Sequence, residues 1–95
     1  MSKLPLRLSI LKEISESKQG HNIKTVMAEL EKEYGNERQF HEPAFLDHLL
    51  SLKESGLIDE SKISVDSDGK LLVDYVVNDE GTKSLKKYLP KQRVS

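Results

Sequence analysis

The chain has 95 residues, of which 36% are hydrophobic, and its fifteen basic and sixteen acidic side chains leave a net charge of −1. This size and composition predict a single domain over residues 1–95 with one modest core. The absence of cysteine excludes disulfides, thiol nucleophiles and thiolate metal sites. The near-neutral charge excludes a strong overall attraction to nucleic acid, although a local basic patch would be enough to contact phosphates.

The location of the protein follows from what the sequence lacks. No apolar run approaches the length of a membrane span, and the N-terminal segment MSKLPLRLSILKE has no signal-peptide apolar region. A chain without cysteine also fits a reducing compartment. We therefore expect a cytoplasmic protein with no membrane partner.

The first helix is predicted from residue spacing. Leu6, Ile10 and Ile14 recur every four residues, which predicts a helix from about Pro5 to Ser17. Gly20 is expected to end this segment.

The second helix is predicted to begin after Asn22, a favourable N-cap residue, and to end at Gly35. Its apolar residues form one expected buried stripe: Ile23, Val26, Met27, Leu30 and Tyr34. The opposite face carries charges of both signs and is interpreted as solvated: Lys24, Glu29, Glu31, Lys32 and Glu33. Phe40 is expected to anchor the polar connection that follows to the core.

The third helix, residues 42–55, is bounded at both ends. Pro43 suits a first helical turn, where its missing N–H is not needed, and Gly56 can adopt the left-handed conformation that ends a helix. Leu57 and Ile58 then return to the core. The apolar residues of this helix are predicted to form one buried stripe: Phe45, Leu46, Leu49, Leu50 and Leu52.

Alternating apolar residues on both sides of the turn Asp66–Gly69 predict a β-hairpin over about residues 61–77. Asn78 is expected to cap a last helix that Pro90 ends, and residues 90–95 are expected to be a flexible tail. The order is helix, helix, helix, strand, strand, helix. It predicts an α+β fold, mostly α, of the winged helix-turn-helix type, with a three-helix core, a two-stranded wing and a C-terminal helix.

Two short motifs add a family resemblance. The third helix ends in the pattern L-x-x-x-G-L-I, here Leu52–Ile58. The hairpin returns into a segment at the place of the pattern L-T-x-x-G, here Val77–Gly81, with Val77 and Asn78 where the pattern has Leu and Thr. From Gly20 onward the chain thus resembles the PadR and MarR group of winged-helix transcriptional regulators. The resemblance implies a DNA-binding regulator with helix 42–55 as the recognition helix and hairpin 61–77 as the wing.

A DNA-binding function requires polar and basic side chains near the recognition helix and the wing. The candidates for contact with double-stranded DNA are Arg38, Gln39, His41, Ser51, Lys53, Lys62 and Lys70. For each of them, ordinary solvated surface is the alternative. Such regulators are expected to be homodimers, and the apolar candidates for the dimer interface are Leu4, Leu8, Leu85, Tyr88 and Leu89. Core packing is the alternative for this second set.

Acidic residues motivate a different function. The wing and the third helix carry carboxylates where such regulators usually carry cations: Glu42, Asp47, Glu54, Asp66 and Asp68. Carboxylates near phosphates cost affinity. The alternative hypothesis is therefore a winged-helix module for protein–protein interaction that offers an acidic face to a basic partner.

Catalytic and cofactor-dependent functions are disfavoured. His41 and His48 lie two helical turns apart, too far to chelate one ion, and no Gly-rich phosphate loop occurs. The serines have no recognisable His and Asp partners. We predict a protein that is not an enzyme and that needs no cofactor or metal.

Overall fold

The computed structural model describes residues 4–16 and 20–88, and within them the predicted order of helices and strands is confirmed. The elements are α1 (Leu6–Ser15), α2 (Ile23–Tyr34), α3 (Glu42–Glu54), β1 (Ile58–Val65), β2 (Leu71–Val77) and α4 (Asp79–Tyr88). The two strands form one antiparallel sheet. None of the helices in this part of the chain has the length and apolar character required to span a membrane. The expected tail, residues 90–95, lies outside the described residues.

The hydrophobic core lies between α1, α2 and α3 and is closed by the base of the hairpin and by α4. The periodicities of the first two helices are confirmed, because their stripes supply buried residues of this core: Leu6, Ile10, Ile14, Val26, Leu30 and Tyr34. Phe40 packs against the core and meets the ring of Phe45 edge to face, with 5.2 Å between the ring centroids. Its predicted anchoring role is thereby confirmed.

The predicted apolar stripe of α3 is too wide. Phe45, Leu49 and Leu52 are buried, whereas Leu46 and Leu50 are exposed. Successive residues of a helix are about 100° apart, so the three buried side chains share one narrow stripe and the two exposed ones point well away from it. The expectation that all five are buried was wrong for Leu46 and Leu50.

The hairpin begins three residues earlier than predicted, because Ile58 already pairs with Val77. A bulge between Glu60 and Lys62 shifts the register, after which Ile63 lies opposite Val73. At its base the sheet presents buried residues to the core. At its far end the same face extends beyond the core, and its apolar residues Ile63, Val65 and Leu71 are exposed.

A short bridge joins the segment before α2 to the sheet. The backbone N–H of His21 donates to the Tyr75 carbonyl oxygen at 2.9 Å, and the N–H of Tyr75 donates back to His21 at 2.7 Å. Gly20, with φ of +96°, turns the chain into this bridge. Asn22 then caps α2 as predicted, since its side chain accepts from the N–H of Thr25 at 3.0 Å.

The first turn of α4 is tied to the end of α3 by Asn78. Its side-chain oxygen accepts from the N–H of Gly81 at 2.9 Å, and its side-chain nitrogen donates to the Gly56 carbonyl oxygen at 2.9 Å. Gly56 has φ of +80°, so it ends α3 in the left-handed conformation predicted for it. The predicted cap of α4 is likewise confirmed.

A buried hydroxyl pair links α1 to α2. The Tyr34 hydroxyl donates to the Leu4 carbonyl oxygen at 2.7 Å and therefore accepts from the Ser9 hydroxyl at 2.6 Å. Both side chains are buried. We expect Tyr34→Phe to lower the free energy of unfolding by about 1–2 kcal/mol, because the Ser9 hydroxyl would lose its buried acceptor. Urea denaturation of Tyr34→Phe, Ser9→Ala and the double variant measures this coupling, and strictly additive losses would contradict it.

Candidate functional site

The exposed side of α3 is the surface that the winged-helix prediction assigns to a partner. Its residues recur at three- and four-residue intervals: Glu42, Pro43, Leu46, Asp47, Leu50, Lys53 and Glu54. This side thus offers two leucines, three carboxylates and one ammonium group. Glu42 lies in the first helical turn, where a carboxylate interacts favourably with the helix dipole.

The entrance to α3 contains three of the predicted DNA-contact residues. His41 is an exposed N-cap residue, and its Nδ1 accepts from the N–H of Ala44 at 3.3 Å, which leaves the N–H donor of the neutral ring at Nε2. Gln39 accepts at its Oε1 from Nε2 of His48 at 3.2 Å. Arg38 is exposed in the connection between α2 and α3. The structure brings Gln39 and His41 together at this end of the helix.

Ser51 was expected on the exposed side of α3, and this expectation was wrong. Ser51 is half-buried, and its hydroxyl accepts from the guanidinium of Arg7 on α1. A second N–H of Arg7 points to the Ser55 hydroxyl at 3.4 Å. Ser51 lies about 100° beyond the buried stripe on the side that faces α1, so its hydroxyl is committed within the chain. Burial, and then the nearby guanidinium of Arg7, lowers the pKa of His48 on the same side.

Lys53 is exposed but has a partner. Its Nζ lies 2.7 Å from a carboxylate oxygen of Glu60 on β1. This hydrogen-bonded pair joins the last turn of α3 to the hairpin and raises the pKa of Lys53. Lys53 could contact a phosphate only by leaving Glu60.

The tip of the wing carries less uncompensated negative charge than its sequence indicates. Asp66 accepts from the backbone N–H groups of Asp68 at 2.8 Å and Lys70 at 3.0 Å, and from Nζ of Lys24 at 3.0 Å. The N–H of Lys70, followed by the ammonium of Lys24, holds the pKa of the Asp66 carboxyl below its ordinary value. The Asp66 carboxylate thus shapes the turn. Asp68 remains exposed at the tip.

Lys24 was assigned to a solvated face, and this interpretation was incomplete. It contacts the wing tip across 42 positions of sequence. Asp66, and then Asp68 and Glu42, raise its pKa, so the wing tip and the start of α3 share one negative field. The periodic spacing of residues within a helix cannot predict a contact between segments so distant in sequence. The turn pattern of Asp66 could have indicated its structural role, because Asp at the first position of a turn commonly accepts from the backbone two residues on.

Lys62 and Lys70 are the two cations of the wing. Both are exposed. Lys62 lies opposite Asp74 on the face of the sheet that points away from Ile63 and Val65. Within residues 4–16 and 20–88, neither lysine nor Arg38 forms an ion pair through its side chain. Among the candidate DNA-contact residues that the structure describes, these three side chains are therefore the cations available to an external anion.

Metal binding has no support in the described part of the chain, where no three His, Asp or Glu side chains lie close enough to hold one ion. The His side chains instead make local contacts. His21 is the third of them and lies 3.9 Å from Glu13 and 3.1 Å from the Thr25 hydroxyl.

Solved structures share this fold. The chain is similar to a PadR-like transcriptional regulator of Bacillus cereus, with 22% identity and a TM-score of 0.67 over 86% of this chain and 75% of that one. It is similar to a protein described as a transcriptional regulator of Thermoplasma acidophilum, with 22% identity and a TM-score of 0.68 over 88% of this chain and 74% of that one. It is also similar to PadR of Bacillus subtilis in complex with operator DNA, with 16% identity and a TM-score of 0.70 over 95% of this chain and 51% of that one.

These similarities confirm the winged-helix prediction and, at the level of the fold, the resemblance to PadR-like regulators. This chain spans about half the length of the Bacillus subtilis protein. No protein-family model matches the sequence, and no curated protein matches it.

Proposed function

We propose that this winged helix, which shares its fold with PadR-like transcriptional regulators, is itself a regulator that binds double-stranded DNA. The observation that carries the proposal is the match of 95% of the chain to a PadR protein solved on its operator. In this arrangement α3 enters a major groove and the hairpin lies against the sugar–phosphate backbone. No catalytic role is part of the proposal, and the location would be the cytoplasm.

The unpaired cations give the proposed contact its electrostatic basis. Arg38 precedes α3, and Lys62 and Lys70 lie on the wing, so positive charge flanks the helix on two sides. Cations at such positions attract phosphates and orient the protein without reading sequence. Gln39 and the exposed ring of His41 are proposed to add hydrogen bonds at the helix entrance. The exposed side chains of α3 itself carry little positive charge, so weak and salt-sensitive binding is expected.

The proposal includes a homodimer, as expected from the sequence, but with fewer interface residues. Leu85 is only 6% exposed and belongs to the core, so it performs the packing role named as its alternative. Leu4 and Leu8 are half-buried and remain candidates for the interface. The side chain of Tyr88, and Leu89, lie outside the described residues.

Fluorescence anisotropy with a random duplex, at low and moderate salt, tests DNA binding. We expect Lys62→Glu with Lys70→Glu to weaken binding about tenfold or more and to reduce the salt dependence by about one unit of slope per lost phosphate contact. The matched control is Lys32→Glu with Lys83→Glu, which reverses two exposed lysines on α2 and α4. Equal losses in both double variants, or binding indifferent to salt, would contradict the proposal.

A second candidate function is protein binding, as an interaction module. It is favoured by the exposed leucines and carboxylates of α3, which suit a protein surface better than a phosphate backbone.

A further inference from the structure

Five large apolar side chains of the described residues are exposed, and all of them belong to α3 or the hairpin. Their exposed fractions are 45% for Leu46, 41% for Leu50, 58% for Ile63, 63% for Val65 and 73% for Leu71. Single exposed apolar residues need no explanation, but a contiguous group marks an interaction site.

These side chains are contiguous. Val65 lies opposite Leu71 in the sheet, so the two share one face with the pair formed by Ile63 and Val73. Leu71 also lines a groove together with Leu46 of α3. The apolar surface thus runs from the far end of the hairpin onto α3, where Leu50 extends it by one helical turn.

The groove between α3 and the hairpin is small. Its volume is about 150 Å³, and its apolar walls come from both strand β2 and the two helices that it faces. Pockets for small ligands measure roughly 300–1,000 Å³. A groove of this size on a wider apolar surface instead suits a single anchoring side chain of a macromolecule.

The rim of the groove is acidic. Glu42 is one of its lining residues, and Asp47 follows on the exposed side of α3. Asp68 lies at the wing tip, close enough to Lys24 to act on it together with Glu42. Lys24 pairs with Asp66 at 3.0 Å, and the exposed Lys70 precedes Leu71, so two ammonium groups stand against four carboxylates and the net charge of the rim remains negative. The rim therefore favours a cationic partner.

An apolar groove with an acidic rim limits the kinds of molecule that could bind there. A second copy of the chain would bring a second set of these carboxylates against the first, which costs free energy. Nucleic acid offers phosphates, which the rim repels, and few apolar groups to fill the groove. A protein segment that carries apolar residues on one side and Lys or Arg on the other satisfies both features.

We propose that the groove formed by Leu46 and Leu71, with its acidic rim of Glu42, Asp47 and Asp68, is a docking site for a basic amphipathic segment of another protein. The site shares the exposed side of α3 with the proposed DNA surface, but the two functions use different wing residues, because the wing cation Lys62 lies on the opposite face of the sheet. Leu46 and Leu71 are its expected anchors, since apolar contact at the centre of an interface contributes most of the affinity.

The test uses a fluorescent helical peptide of leucine and lysine, with leucines at i, i+3, i+4 and i+7. Two further peptides of the same pattern are compared, one with serine in place of leucine and one with glutamate in place of lysine. We expect the leucine–lysine peptide to bind about tenfold more tightly than either. If the serine–lysine peptide binds as tightly as the leucine–lysine peptide, the interaction depends on charge alone and the proposal is overturned. The proposal is also overturned if the leucine–lysine peptide does not bind.

Variants locate the site. Leu46→Ser with Leu71→Ser is expected to weaken peptide binding about tenfold, and circular dichroism checks that the variant remains folded. Val76→Ser, at a half-buried apolar position on the opposite face of β2, is the matched control and should change the affinity by less than about twofold. Equal losses in the two variants would overturn the assignment.

Two measurements separate this proposal from the alternatives. Lys62→Glu with Lys70→Glu should weaken DNA binding and leave peptide binding unchanged or stronger, so either function can fail without the other. Sedimentation of the unchanged chain tests for self-association. A dimer that Leu46→Ser with Leu71→Ser dissociates would assign the groove to a second copy and overturn the proposal.

Discussion

Replacing Gly81 with alanine is expected to lower the free energy of unfolding by about 2 kcal/mol. A Cβ at this position would overlap the Leu57 carbonyl oxygen and come within 2.5 Å of a Val77 methyl carbon. The carbonyl belongs to the backbone between α3 and β1, so it cannot move aside as a flexible side chain would. Alanine gains at most about 1 kcal/mol over glycine in a helix, which does not offset an overlap of this kind. Urea denaturation measures the loss.

Two controls separate overlap from other effects of glycine. Gly56→Ala has open space around the added Cβ and incurs only the left-handed backbone cost of about 1 kcal/mol. Thr82→Ala tests a neighbouring exposed position of α4 and should change stability by no more than about 0.5 kcal/mol. Adding Val77→Ala to Gly81→Ala relieves only one of the two overlaps. A Gly81→Ala variant as stable as the unchanged chain would mean that α4 does not approach Leu57 this closely.

Neutralising the acidic rim is expected to move the two proposed binding functions in opposite directions. The triple variant Glu42→Gln, Asp47→Asn and Asp68→Asn removes three negative charges beside the proposed DNA and peptide surfaces. We expect affinity for random duplex DNA at low salt to rise about tenfold and affinity for the leucine–lysine peptide to fall about as much. Both changes should shrink as salt is added, because exposed charges are screened.

A matched triple variant controls for net charge. Glu29→Gln, Glu31→Gln and Asp79→Asn removes the same charge from exposed positions on α2 and the start of α4. If the effect depends on where the charges lie, this control variant should change the affinities for DNA and for the peptide far less than the triple variant of the rim does. Glu42→Gln also removes a favourable helix-dipole interaction of about 0.3–1 kcal/mol, so a melting curve accompanies the binding data. Parallel gains or losses of the two affinities would mean that the rim does not distinguish the partners.

Local signals predicted the fold well. The structure confirms the predicted helix boundaries. Asn22 and Asn78 cap the starts of α2 and α4 with their side chains, and Gly56 ends α3 in the left-handed conformation. These features depend on neighbours within a few residues, which a sequence displays directly. The hairpin turn at Asp66–Gly69 is of the same kind.

The surface was harder to predict, because it depends on contacts between distant segments. The pairing of Lys24 with Asp66, and of Arg7 with Ser51, joins residues more than 40 positions apart. Apolar spacing also fails to say how wide a buried stripe is, which is why Leu46 and Leu50 were assigned to the core. Of the DNA-contact candidates, the structure leaves Arg38, Lys62 and Lys70 as exposed cations without an ion pair among the described residues.

The hairpin is attached at two points along its length, once to the segment before α2 and once to α2 itself. The backbone bridge between His21 and Tyr75 holds it near its base, and the contact of Lys24 with Asp66 holds its tip. The backbone bridge restricts swinging of the ribbon near its base, whereas an exposed ion pair stabilises only weakly, so amide hydrogen exchange in β2 should be slowest near Tyr75 and faster towards Leu71. A molecule that binds the ribbon near Tyr75 would meet a surface already in place and would lose little ordering entropy there.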